Sequence, residues 1–201
     1  MGIQKIGGYG SLINALLMVL FLLVPFQPND FYDPARGFET ISAGYHIFYI
    51  LYFGLVLSGI CYIPMVLALR ERMKNSMPNI MGTAIIGVSI ACTLWFAAAL
   101  VGCLGMPLIV SAKDASAYTA VGTVILSVAS GGDCTVGFIL LLVGCAALKI
   151  KTFSRILCYV FILKGLVMIL SISIEPLVIV GIILGLLFYP WLGIVLLKSE
   201  A

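Results

Sequence analysis

Apolar positions fall into six long blocks, separated by short segments where charge, proline and polar residues gather. The blocks cover about 6–26, 41–69, 80–105, 118–148, 156–174 and 177–197. None alternates apolar with polar as a half-buried strand does. Each holds roughly 19 residues or more, enough for a helix rising about 1.5 Å per residue to cross a hydrocarbon core of about 30 Å. Backbone N–H and C=O groups in lipid must be satisfied within the segment, so the pattern predicts six transmembrane helices and no sheet. The expected fold class is an all-α, polytopic membrane helix bundle, with 1–201 as a single transmembrane domain.

The separators carry stop signals. Pro28 and Pro34 follow the first block, "RERMKNSMPN" divides the second from the third, and "KIKTFSR" divides the fourth from the fifth. Pro107 is expected to end the third helix, and Glu175–Pro176 to make a tight turn, because proline strains a continuing helix. The first block follows Lys5 as a signal peptide would. Its length of about 20 residues exceeds a signal core of about 7–15, and "VPFQPND" offers no small-residue cleavage site, so a retained helix is expected.

Composition points the same way. The chain is 63% hydrophobic and 9% charged, with mean hydropathy +1.22. A soluble domain carries about 25% charged residues, so most of this surface is expected to face lipid. Charge placement orients the bundle. With the N-terminus inside, the inner segments hold eight basic residues (Lys5, Arg70, Arg72, Lys74, Lys149, Lys151, Arg155, Lys198) and the outer ones two (Arg36, Lys113). Excess Lys and Arg in short loops marks the cytoplasmic side, so both termini are expected there, in a cell membrane. The expected partners are the lipid bilayer and either another membrane protein or a second copy. No basic run interleaved with aromatics points to nucleic acid.

The order of segments carries a resemblance. It comprises a first span "GGYGSLINALLMVLFLLVPF", an acidic outer loop, a second span ending "LALRERM", a hairpin, and a basic "FSRILCYVFILKGLVMIL" opening the fifth span. In this layout the chain resembles, over nearly its whole length, a broad group of uncharacterised small six-helix prokaryotic integral membrane proteins. The resemblance implies the six-helix fold and brings no activity, cofactor or site residue.

Two charges interrupt the hydrocarbon. Lys164 lies nine residues past Arg155, about 14 Å into the membrane, and Asp133 lies fifteen residues before Leu148, about 22 Å in. An isolated charge at mid-membrane costs at least about 2.5–3.5 kcal/mol, so both side chains are expected to face the interior. On a continuous fifth helix Lys164, Ser171 and Glu175 would fall within about 40° of one another. Ser127, Ser130, Gly131, Cys134, Gly137, Gly144 and Cys145 form a stripe of small residues on the fourth, suited to close helix packing. Asn14, Ser58, Ser89 and Thr93 lie at comparable depth on the first three. A polar site is therefore expected from Asp133, Lys164, Ser171, Glu175, Asn14, Ser58, Ser89 and Thr93.

Other features read as structure. Gly181-x-x-x-Gly185 is a helix-packing motif. His46 with Tyr45, Tyr49 and Tyr52, and Phe188, Tyr189 and Trp191 beside Pro190, are expected as interfacial aromatics. The acidic loop 28–39 lacks calcium-ligand spacing. The six cysteines lie in apolar segments without metal-site spacing, so no metal or cofactor is expected. No nucleophile or metal set accompanies Asp133 and Lys164, so no enzyme is expected. Two readings stay open. The first is a non-enzymatic membrane component, either an accessory or scaffold subunit or a small-ligand binder, with Asp133 and Lys164 bonded to each other. The alternative is a small transporter or channel-like protein, with an outward-facing polar cavity around the same two residues.

Overall fold

A computed structural model of the protein describes residues 2–23, 38–39, 46–174 and 176–198. Its main elements are α1 (Ile3–Leu23), α2 (His46–Met73), α3 (Pro78–Ser111), α4 (Ala115–Ile150), α5 (Arg155–Leu170) and α6 (Pro176–Leu197). No strand occurs among the described residues. Five of the helices are long and apolar enough to cross a membrane; α5, with 16 residues, covers about 24 Å. Most of the acidic loop 28–39, Arg36 included, lies outside the described residues, as do Tyr45, Glu175 and the side chain of His46.

Local chemistry sets the boundaries. Pro78 opens α3, where a missing N–H costs nothing. The Asp114 carboxylate caps α4 by accepting from the N–H groups of Ser116 (3.1 Å) and Ala117 (2.9 Å). Ser154 caps α5 by accepting from Leu157 N–H at 3.3 Å. Lys151 closes α4 in the left-handed region, φ 55°.

Two expected ends are corrected. Pro107 does not stop α3, which continues to Ser111. Met106 and Val110, on either side of the proline, are buried in a cluster that includes Tyr118 of α4, and this packing carries the helix through. The fifth helix stops at Leu170, short of 174. Ser171 Oγ turns back onto the Met168 carbonyl at 2.9 Å, and the N–H groups of Ser173 and Ile174 both fall on the Leu170 carbonyl at 3.0 Å. Hydroxyls that bond their own backbone compete in this way with helix continuation.

Each helix packs on its successor, and α6 packs back on α1, giving a closed ring of six. The neighbours run antiparallel. On α1, Gly7 faces Pro64 and Gly10 faces Cys61, whereas Phe21 reaches Gly54. On α6, Gly193 meets Gly8 and Gly185 meets Met18. The start of α1 and the end of α6 therefore share one end of the ring with the α2–α3 and α4–α5 turns. All eight basic residues of the expected inner segments sit at this basic end. Arg72 crosses it, donating to Gln4 Oε1 (3.0 Å) and to the Val195 carbonyl (2.9 Å), with its guanidinium 5.3 Å from the Phe153 ring centre. Lys113 is the basic residue described at the far end.

Backbone meets backbone closely between α4 and α5. A Cβ on Gly137 would lie 2.8 Å from the Gly165 carbonyl oxygen, and one on Gly165 would lie 2.5 Å from that of Gly137. The small-residue stripe divides here: Gly137 and Gly144 receive α5, whereas Ser127 and Cys145 are exposed.

Two apolar clusters fill the ring. One draws on all six helices and occupies the middle and the basic end, including Met65, Leu157, Phe161, Phe188 and Leu192. The other, at the far end, is built on Tyr52, Ala98, Ala99, Met106, Val110, Tyr118 and Ile125, from α2, α3 and α4, with Phe38 packed against it. The far-end halves of α1, α5 and α6 are less deeply packed. The outside of the ring is apolar, with Leu16, Ile86, Leu104, Leu108 and Leu187 each 64–70% exposed. An apolar exterior this extensive suits lipid rather than water.

Candidate functional site

Lys164 faces the inside of the ring and is 3% exposed. Its Nζ donates to the Gly181 carbonyl of α6 at 3.1 Å and lies 5.1 Å from the centre of the Tyr189 ring, within cation–π range. Gly185 leaves the space for this, since a Cβ there would sit 3.3 Å from Nζ and 3.2 Å from the Tyr189 ring. The Gly181-x-x-x-Gly185 motif thus gives Lys164 an acceptor and room.

Asp133 of α4 is in electrostatic reach of Lys164, but the two form no ion pair. An ion pair within 4.0 Å joins the exposed Lys74 and Glu71, at 2.7 Å, and none joins Asp133 to Lys164. The expected direct bond is therefore corrected. Lys164 leans from α5 toward α6, whereas Asp133 lies on the side of α4 that meets Trp95 of α3. Gly132 opens that side, because a Cβ there would fall 2.6 Å from Trp95 Nε1. The indole N–H interacts with the Asp133 carboxyl yet makes no hydrogen bond of ordinary geometry and stays buried without a partner. Asp133 itself is half-buried.

Tyr62 of α2 and Tyr189 of α6 complete the cluster. They are 2% and 1% exposed, and their hydroxyls share a hydrogen bond. Their rings meet edge-on at 5.9 Å, and Tyr62 leans on Trp95 at 5.4 Å. Both tyrosines are in electrostatic reach of Asp133. On the α1–α2 side, Ser58 Oγ donates to Asn14 Oδ1 at 2.7 Å. That leaves Asn14 Nδ2 buried with no partner. One turn away, Ser11 Oγ donates to the Tyr189 carbonyl at 2.7 Å.

Of the expected polar layer, Asn14, Ser58, Asp133 and Lys164 do face the interior. Ser89 and Thr93 do not. Both are exposed, bonding the carbonyls of Ile85 and Ser89 at 2.9 Å, on the outer side of a shallow groove with Ile86 and Ile90. The reason is rotational: α3 turns Val88, Ala91, Cys92 and Trp95 inward, which puts Ser89 and Thr93 on the outside of the ring. Ser171 caps the end of α5, so the helix does not carry the expected stripe beyond it, and Glu175 lies outside the described residues. Phe188 and Tyr189 are buried rather than interfacial, because α6 packs that turn against α1, α2 and α5. Tyr52 is likewise buried.

The sequence reading missed Tyr62, Trp95, Tyr189 and Ser11. One signal was available: a Tyr or Trp within a membrane span carries an O–H or N–H that needs a partner when buried. No group of three His, Cys, Asp or Glu that could hold a metal occurs among the described residues. The cluster brings together two opposite charges held apart, a paired hydroxyl couple and two unpartnered donors, a set able to hold a small polar species by hydrogen bonds and charge. Compared with known protein families, curated proteins and solved structures, the chain finds no match.

Proposed function

We propose that the chain is a non-enzymatic integral membrane protein that crosses the membrane six times, with its basic end cytoplasmic, and binds a small polar species at mid-bundle. The observation that carries this reading is the buried, unpartnered Asn14 Nδ2, with Trp95 Nε1 approaching Asp133 without closing an ordinary hydrogen bond, in the layer that holds Asp133 and Lys164. A buried donor without a partner costs about 1–3 kcal/mol, and native folds keep few of them. A bound species that accepts these hydrogen bonds accounts for their retention. Access from the far end agrees with the packing, since among the described residues the apolar cluster there draws on none of α1, α5 and α6.

The test is chemical access. Lys164→Cys, in right-side-out vesicles, reacts with a small membrane-impermeant thiol reagent added outside, above the level given by the native cysteines. Reaction no greater than that of the native chain, from a variant that purifies as the native chain does, overturns the reading.

A further inference from the structure

We propose that the mid-bundle cluster is a proton-binding site, with the Asp133 carboxylate as acceptor and the Lys164 ammonium as its fixed electrostatic partner. This rests on the reading that the cluster is a working site, and it adds a proton on Asp133 to the hydrogen-bond-accepting species that the two donors call for.

The argument starts from how unequally the two charges are satisfied. The ammonium has the Gly181 carbonyl at 3.1 Å and the face of Tyr189. The carboxylate has no ion pair and an indole N–H that approaches without closing a hydrogen bond. Among the described residues Asp133 is the acidic side chain placed inside the ring; Glu39, Glu71 and Asp114 lie near helix ends. The groups in reach of it from the other helices are Trp95 from α3, Lys164 from α5, Tyr62 from α2 and Tyr189 from α6. Only Lys164 among these carries a charge in its ordinary state.

Space also argues for a proton. Lys164, Tyr62, Tyr189, Asn14 and Ser58 are each at most 4% exposed, so a bulky guest would have to displace packed side chains, whereas a proton displaces nothing. The bonded hydroxyls of Tyr62 and Tyr189 can each donate and accept, and both are in electrostatic reach of the carboxylate. In the step, a proton leaves hydronium and bonds a carboxylate oxygen of Asp133, giving the neutral acid. The ammonium keeps its three protons, the interior charge rises by one, and release is the reverse. No electrons are transferred.

The experiment is infrared difference spectroscopy of the full chain in lipid nanodiscs, stepped through pH. A carbonyl band of a protonated carboxyl grows as pH falls and is missing in Asp133→Asn. In Lys164→Met the same band titrates at a pH higher by about one unit or more, a tenfold change in proton affinity. Should Asp133→Asn fail to fold, Asp133→Glu makes the assignment by moving the band. A band untouched by changes at 133, or a midpoint unmoved in Lys164→Met, overturns the proposal. A titrating band with an unreactive Lys164→Cys keeps the proton site and sinks the wider reading; a reactive cysteine with no band does the opposite.

Discussion

Lys164 Nζ donates to the Gly181 carbonyl at 3.1 Å, so the ammonium on α5 is anchored to α6 and not to the carboxylate of Asp133. Asp133 still depends on that ammonium as the one charge facing it. Lys164→Met alone therefore destabilises the protein, and adding Asp133→Asn recovers part of the loss. A double-mutant cycle in detergent unfolding is expected to give a coupling of about 1–3 kcal/mol. Strictly additive losses would mean the two charges do not sense each other.

The Tyr62–Tyr189 hydroxyl pair is buried on both sides. Tyr62→Phe or Tyr189→Phe strands the surviving hydroxyl at a cost of about 1–3 kcal/mol. Replacing both removes the stranded group, so the double variant is expected to be at least as stable as the worse single one. Thermal unfolding of the three variants checks the order.

Glycine substitutions separate close packing from mere helix content. At Gly137 a Cβ would press on the Gly165 carbonyl oxygen at 2.8 Å, a backbone atom that cannot swing aside, whereas at Gly82 it would meet nothing within 4 Å. Gly137→Ala should lose about 1–3 kcal/mol through overpacking. Gly82→Ala should gain about 0.5–1 kcal/mol by stiffening the unfolded chain. Equal effects at both sites would count against the α4–α5 contact.

Asp114 lies outside the spans, and its carboxyl is held below the usual carboxylate range by the Ala117 N–H and then by the Ser116 hydroxyl and N–H. A folded-state value below the unfolded one makes the cap stabilising at neutral pH, and its contribution is lost as pH falls through the folded value. Asp114→Asn keeps a capping oxygen without the titration. Its stability should fall less steeply with acid than that of the native chain, as measured by thermal unfolding across the acid range.

The helices were largely legible because each is written within one segment. An apolar run is long enough or not, and a cap such as Asp114 or Ser154 stands beside the backbone it serves. The misjudged ends were those where packing or a competing hydroxyl outweighed the local signal: Met106 and Val110 carry α3 past Pro107, and Ser171 closes α5 early. The site was legible only where charge forced the answer. Asp133 and Lys164 are too costly to leave in lipid, but the hydroxyls of Ser89 and Thr93 satisfy themselves on their own backbone and so face either way at little cost.

The sequence by itself determined an all-helical chain with lipid-length segments, basic residues gathered at one end, and two charges bound to turn inward. These follow from hydrophobicity and depth along a helix axis, which one segment settles alone. The tertiary structure decided which face of each helix turns inward, that α6 closes the ring on α1, and that Lys164 bonds Gly181 while Trp95, Tyr62 and Tyr189 gather around Asp133. In helices apolar on nearly every side, rotation leaves no periodic mark. It is set by how neighbouring surfaces fit, through glycines such as Gly132, Gly137 and Gly185 whose partners lie on other helices.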